Sequence, residues 1–577
     1  MTSTLLSSAQ QDFSENSRER ILSEDYVSLI YHSETYPFQI EQLRSEFLPQ
    51  PVDWQYAILN APLSQYPPDI SAQGYFTIPK LLTLMDMTAL DASGILSVQN
   101  QPFLNLTGRR VLLGFIDTGI DYRHPAFRNP DGSSRVLFIW DQADRSGRLP
   151  EGFLYGSEYT KTDIDTALRS LDPLSIVPSI DENGHGTAMA GIAAGTPDET
   201  TSFSGAAPES SLAVVKLKPA KQYLRNYFLA DQNAIVFQED DCMLAIRYLM
   251  DKARKTDLPL IICFGLGTNQ GGHDGHTPLD EVMAYLSYTS GRYGVVAAGN
   301  EVRMGHHCSG AVAAEGLSQE VEVVAEQAGK GFCLELWAFA PELFAVGVTT
   351  PLGERLSPAD PRLHTKSGTT FLLDGSSVQI DYEIVEFRSG SQLIQIRVQD
   401  PSPGIWRFQI VNKRFLNGSF HIWLPATGIC PPGVRFLSPD PDTTLTVPSC
   451  NNEIVTVSTC RAYSNAIYEN SGRGFTRNGY IKPDIAAVGV DIQAPCCLNT
   501  YRSFTGSSAA AALTAGAMAL LVQWGIESSY NRVFSSTEIK NLLYRGANRI
   551  SGLYYPNREW GYGSLDIYGV FQSLSGF

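Results

Sequence analysis

Four residues invite a chemical reading. Asp117 follows a continuous apolar run over residues 111–116 and opens Asp117-Thr118-Gly119-Ile120-Asp121. A carboxylate at the carboxyl end of a buried parallel strand stands on the rim where α/β proteins bind ligands. Alone, such a residue is more often a turn aspartate. His185 sits between Gly184 and Gly186, ahead of a run of small residues, Ala188, Ala190, Gly191, Ala193 and Ala194. Its imidazole is uncrowded and titrates near neutrality, as a general base must, although a lone histidine is more often structural. Ser508, in Thr505-Gly506-Ser507-Ser508-Ala509-Ala510, opens an Ala-rich helical stretch to residue 524. A hydroxyl there lies beside backbone N–H groups and the positive end of the helix dipole, but serine is also a common helix cap. Asn300 closes Val295-Val296-Ala297-Ala298-Gly299-Asn300, where its amide can donate to a developing oxyanion or merely fill a turn. Taken together, in the order Asp, His, Asn, Ser, the four supply an acyl-transfer site: nucleophile, base, orienting carboxylate and oxyanion donor.

Alternating elements must position them. Apolar runs at 111–116, 212–217, 258–264 and 293–298 read as buried parallel strands, with helices over 241–254 and 279–288 between them. That is an α/β domain with a parallel sheet. Between about 303 and 450 the pattern changes to short alternating runs at 378–385, 393–398, 406–411 and 419–424, separated by Pro and Gly. This predicts an inserted antiparallel β-sandwich or jelly roll. Residues 1–99 predict a small α+β unit, with strands over 26–32 and 55–59 and a helix over 78–90 started at Pro79. The expected divisions are 1–99, 100–302, 303–450 and 451–577.

The net charge of −17 argues against nucleic-acid partners and against docking on anionic membranes. The first twenty residues carry no signal-like apolar run, and no stretch reads as long enough to span a bilayer, so the chain is expected to be made and kept inside the cell unless another route carries it out. The nine cysteines are scattered, odd in number and lack metal spacing, which suggests reduced thiols. His306, His307 and Cys308 are adjacent, but neighbours in sequence rarely converge on one ion, so no metal and no cofactor is assigned. Gly265-Leu266-Gly267-Thr268-Asn269-Gln270-Gly271 lacks the spacing of a nucleotide loop.

The motifs resemble those of the subtilases. Asp117-Thr118-Gly119-Ile120-Asp121 with His124-Pro125, Gly184-His185-Gly186-Thr187, Ala297-Ala298-Gly299-Asn300-Glu301, Lys482-Pro483-Asp484-Ile485 and Gly506-Ser507-Ser508-Ala509-Ala510 carry the likeness. The order Asp, His, Ser is also that of subtilisin. Two departures are Ala512, where the family usually has Pro, and Ala487-Val488-Gly489, where it has Ala-Pro-Gly; neither removes a reacting group. The resemblance implies a subtilisin-like fold and a serine endopeptidase acting on protein or peptide substrates, with Asp117, His185, Ser508 and Asn300 at its centre. It also implies that Gly265, Leu266 and Gly267 form one edge of the substrate cleft, and that Ala297, Ala298, Gly299 and Glu301 lie along the first specificity pocket. There Glu301 is either a wall favouring polar or basic side chains or a solvated residue. The layout is similar to the Csp germination proteases of clostridial spores, which have a prodomain and a jelly-roll insertion. By that likeness residues 1–99 are a prodomain whose extended tail, 94–99, lies in the cleft and is cut near Gln99 and Asn100.

Overall fold

A computed structural model describes residues 18–32, 49–84, 93–99 and 105–575, apart from residues 19, 54, 199, 202, 327–328, 364, 463–465 and 529–530. Its centre is an eight-stranded sheet. In spatial order the strands are Ile485–Val488, Val455–Cys460, Arg292–Ala297, Leu260–Phe264, Leu112–Asp117, Ser211–Lys216, Val136–Asp141 and Ser157–Thr160. Neighbours are parallel except at the last pair, which is antiparallel.

Burial of both sheet faces explains the uniformly apolar runs. Leu113 and Phe115 of the central strand enter one core layer with the helices His185–Ala194 and Ser507–Glu527, whereas Leu112 and Ile116 enter the opposite layer beneath the helix Glu239–Thr256. The side chains alternate although the sequence does not. The Ser508 helix is apolar on every side because it is enclosed on every side. It has the length and hydropathy of a bilayer span, which the sequence reading passed over, but it is almost wholly buried inside the protein.

The insertion forms two packed antiparallel sheets, a β-sandwich. The six-stranded sheet runs His307–Ala311, Ser419–Trp423, Gly331–Ala338, Gln392–Gln399, Ser377–Glu383, Lys366–Thr370. The five-stranded one runs Arg355–Leu356, Leu343–Thr349, Gly404–Arg414, Ser318–Ala325, Val434–Phe436. Trp406, Phe408 and Ile410, two apart, point into the shared core with Phe332 and Ile396.

Near the amino terminus, Tyr26–His32 and Tyr56–Pro62 pair antiparallel. Their apolar faces pack against both larger units, with Val27, Leu59 and Tyr75 beside Tyr223, Leu224, Trp337 and Trp423. Two expectations fail here. The helix predicted over 78–90 contains instead the strand Leu81–Leu84, while residues 85–90 lie outside the described residues. Pro79 suits a first helical turn, but main-chain partners on both sides win over that local preference. The stretch 94–99, expected as an extended tail in the cleft, includes the helix Ile95–Gln99. Ile95 and Val98 are buried in the catalytic core, and the Gln99 amide donates to the carbonyls of Gly205 and Ala206 at 3.2 and 2.8 Å. These residues are part of the α/β unit, not of the amino-terminal one.

Candidate active site

The parallel sheet delivers two of the four residues, Asp117 and Asn300, to one edge, with Gly265 between them. Asp117 ends its strand, Asn300 follows the strand Arg292–Ala297, and Gly265 follows Leu260–Phe264, all at carboxyl ends of neighbouring strands. The helix that begins at Ser507 brings Ser508 to the same edge from beneath.

His185 Nδ1 lies 2.8 and 2.9 Å from the two oxygens of Asp117. Asp117 Oδ1 also accepts from the backbone N–H of Thr118 at 2.7 Å and from its hydroxyl at 3.2 Å. Both partners are buried, 1% exposed for Asp117 and 4% for His185, so their separation is set by packing rather than by solvent. Gly186 makes the approach possible. A Cβ there would stand 2.2 Å from the Gly119 carbonyl and 3.1 Å from the Asp117 Cβ. Asp181 fixes the loop ahead of the histidine: one oxygen accepts from Gly184 N–H and the other from Thr187 N–H and hydroxyl. Its place three residues before Gly184 is a legible capping signal that the sequence reading did not use.

Ser508 is fully buried, and its hydroxyl donates to the Gly265 carbonyl at 3.0 Å. Gly265 has no room for a side chain, because Met189 Sδ would lie 2.3 Å from a Cβ and Ser508 Cβ 3.2 Å. The preceding serine ties the helix to the segment of Gly299 and Asn300. Ser507 N–H donates to Asn300 Oδ1 at 3.2 Å, and Gly299 N–H donates to Ser507 Oγ at 3.1 Å. With its oxygen so engaged, Asn300 keeps its Nδ2 hydrogens as donors. Sequence reasoning missed both Ser507 and Met189, since Ser and Met carry no signal of such roles.

The strand edge at Leu266 and Gly267 is occupied by the chain itself. Leu84 and Thr83 pair antiparallel with Leu266 and Gly267, and Leu82 and Leu81 pair with Phe237 and Gln238. The strand Leu81–Leu84 is thus the middle of a three-stranded sheet whose outer strands belong to the α/β unit. Leu82 is buried among Phe237, Met243, Phe264 and Leu266. Leu81 N–H donates to Gln270 Oε1 at 3.0 Å, and Lys80 N–H to Glu239 Oε2 at 3.1 Å.

Glu301 is not the solvated residue that one of its two readings expected. It is 4% exposed and faces inward, 2.7 Å from His306 Nδ1, and also accepts from Asn269 Nδ2 and Thr427 N–H. Burial would raise its pKa, but His306 and these donors hold it below the usual carboxyl range. Burial disfavours a charged His306, yet the facing Cys430 and Glu301 raise it to about 10. The carboxylate therefore ties His306 and Thr427 to the segment of Asn300. Its neighbours part company: His307 stacks on His421, with Nε2 3.0 Å from His421 Nδ1, and Cys308 pairs across to Ile422.

The hydroxyl at a helix amino terminus and the carboxylate-held imidazole stand with Asn300 on the carboxyl edge of one parallel sheet. The family model for the subtilases matches residues 108–377 and 432–563. The chain belongs to the subtilase family of serine peptidases. The solved structure of the CspB protease of Clostridium perfringens aligns with a TM-score of 0.75 and 30% identity, covering 85% of this chain and 100% of that one. The C5a peptidase of Streptococcus pyogenes is 36% identical over 103 residues, which is 17% of this chain but only 9% of that protein. The subtilisin-like protease SBT2.4 of Arabidopsis thaliana is 29% identical over 225 residues, 34% of this chain and 26% of the relative.

Proposed function

We propose that the chain is an active endopeptidase that cuts its own amino-terminal segment from the enzyme and then acts on other polypeptides. In this reading Ser508 Oγ attacks the scissile carbonyl, His185 Nε2 takes the hydroxyl proton and later gives it to the leaving amine, and Asp117 holds the imidazole tautomer through Nδ1. The Asn300 Nδ2 hydrogens and the Ser508 backbone N–H receive the oxyanion. The contact of Ser508 with Gly265 breaks as the hydroxyl turns to the imidazole. The observation that carries the reading is the pair of contacts from Asp117 to His185 Nδ1 at 2.8 and 2.9 Å, on the sheet edge where Ser508 begins its helix.

The strand Leu81–Leu84 supports self-processing, because it lies along the edge a substrate would use, with its carboxyl end toward Gly265. Residues 93–99 stay with the core, so the cut falls between them and Leu84, within 85–92, rather than at Gln99–Asn100. The likeness to the Csp germination proteases extends the reading to a natural substrate: the zymogen of a spore-cortex hydrolase, activated during germination. The second reading is a silent sensor with the same fold, favoured by the filled cleft and by a Ser508 hydroxyl turned to Gly265.

Denaturing gels of the purified wild type and of Ser508→Ala separate the two readings. Two fragments for the wild type and one band for the variant are expected. The amino-terminal sequence of the larger fragment should begin within residues 86–93. A single full-length band for both proteins, with no labelling of Ser508 by a fluorophosphonate, would establish the silent reading.

A further inference from the structure

Glu301 holds two groups at once. Its Oε2 lies 2.7 Å from His306 Nδ1, and its Oε1 accepts from Thr427 N–H at 3.0 Å. Thr427 enters a tight turn in which the N–H groups of Ile429 and Cys430 both donate to the Ala426 carbonyl, at 2.9 and 3.0 Å. Leu424 N–H, just ahead of that turn, donates to the His306 carbonyl at 2.9 Å. One carboxylate and one main-chain bond therefore set an imidazole beside the turn that carries a thiol. His306 and Cys430 both line a cavity of about 540 Å³, large enough for a small organic molecule. The buried lining residues His306, Cys430 and Val434 form its inner end, and the exposed Asn233, Pro432 and Arg435 its rim.

Thiol, imidazole and carboxylate in series are the parts that make a cysteine reactive. Burial alone disfavours a charged His306, yet Cys430 and Glu301 raise it to about 10, so it is an imidazolium at neutral pH. An imidazolium is no general base, but it holds a thiolate beside it and can protonate a leaving group. The nucleophile also lacks an oxyanion donor of its own, because Cys430 N–H is spent on the Ala426 carbonyl. Both features disfavour acyl transfer. Attack on a disulfide sulfur needs neither a base nor an oxyanion hole. The Val434 carbonyl, 3.9 Å from the Cys430 sulfur, is too distant to compete for it. Cys242, Cys263 and Cys450 stand in contrast: they are enclosed in the core, and burial pushes them well up.

We propose that Cys430 is a modification site, at which a low-molecular-weight disulfide exchanges with the thiol and leaves a small thiol in mixed-disulfide linkage within the cavity. The Cys430 sulfur attacks one sulfur of R–S–S–R. The bond from Cys430 to that sulfur forms as the original S–S bond breaks, and the departing RS⁻ takes the His306 Nε2 proton and leaves as RSH. Cys430 is oxidised, half of the incoming disulfide is reduced, and His306 regains its proton from water. A second thiol reverses the step. The site stands apart from the peptidase reading and does not depend on it.

The test uses the native full-length chain with oxidised glutathione as the probe, read by intact mass and peptide mapping. One early adduct is expected, on Cys430, ahead of the half-buried Cys497, whose thiol burial pushes up to about 12. That ranking is read in the wild type and holds whether or not a variant folds well. Cys430→Ser should lose the early adduct. His306→Gln should form it at least about tenfold more slowly, since the thiolate is no longer held beside a cation. First labelling at Cys497, or labelling of Cys430 only after denaturant has opened the protein, would overturn the site. An unchanged rate in His306→Gln would do the same.

Discussion

The two carboxylate oxygens of Asp117 straddle Nδ1 of His185, at 2.8 and 2.9 Å. An acceptor on both sides of that nitrogen keeps its hydrogen there and leaves Nε2 basic. Asp117→Asn puts an amide donor against the same nitrogen and favours the wrong tautomer. Turnover of a peptide substrate should fall by about 10⁴-fold with the melting temperature little changed. A loss of less than tenfold would take Asp117 out of the mechanism.

Leu82 anchors the cleft strand in a pocket of Phe237, Phe264 and Leu266. Leu82→Ala should weaken docking of the amino-terminal segment by about 2–4 kcal/mol, the usual cost of emptying such a site. A gel time course should then show self-cleavage slowed at least tenfold, with the folded core unaffected. Wild-type rates would mean that the strand does not position the bond.

The Glu301–His306 pair predicts a decline in stability on the alkaline side. His306 is raised to about 10, so its contribution is complete below the ordinary histidine value of 6.5 and fades as pH rises toward 10. Glu301 is lowered, so its share is present above the ordinary carboxyl range and fades only in acid. Melting temperature should drop between pH 7 and 10 in the wild type, and the drop should shrink in His306→Gln. A parallel pH profile for the variant would contradict the assignment.

A stack of rings predicts the opposite limb. His273 lies 4.0 Å from Trp423, His307 lies 4.7 Å from it, and His307 and His421 stack at 5.2 Å. Burial lowers His273 and His307 to about 4 and holds His421 well below the ordinary histidine value. The unfolded chain takes up those protons first, so stability is full above about 6.5 and is lost as pH falls toward 4. His273 belongs to the α/β unit and the others to the sandwich, so acid should loosen their junction before either core. Differential calorimetry at pH 4.5 should show two transitions where pH 7 shows one, and a single sharp transition at both would count against this.

Lys482 is fully buried, donating to the Ile454 carbonyl at 2.7 Å and to Asp484 Oδ2 at 2.6 Å. Lys482→Met leaves Asp484 with one cation, Lys540 at 3.1 Å, in place of two. Removing one partner of a buried pair costs about 3–5 kcal/mol. Denaturant unfolding should reveal that loss; a change under 1 kcal/mol would show the lysine to be dispensable.

What the sequence displayed and what it concealed divide along a physical line. The parallel strands and the edge holding Asp117, Asn300 and Ser508 were legible, because apolar runs and small-residue helices are local records of burial. The sandwich was legible from alternation, as in the strand Ser377–Glu383, which the sequence placed within two residues. The cleft strand was not, because Leu81–Leu84 is held by partners at 237–238 and 266–267, and no property of the segment itself foretells them. Residues 94–99 misled for the converse reason: apolar content suited an extended tail, but the core they enter is helical ground beside the carboxyl-terminal helix Ile567–Ser575. Glu301 misled because its partner, His306, is brought round by a turn that the sequence does not announce.

The long helix Ser507–Glu527 has a consequence for the birth of the enzyme. It carries Ser508, and it is enclosed by elements that lie on both sides of it in the sequence, with Phe534 and Phe571 against its Trp524. While the chain is still emerging from a ribosome, Asp117 and His185 are made well before Ser508. Until then the sheet lacks the layer that closes one of its faces. On the proposed roles, the nascent protein stays inactive until the helix of Ser508 has been made and has docked.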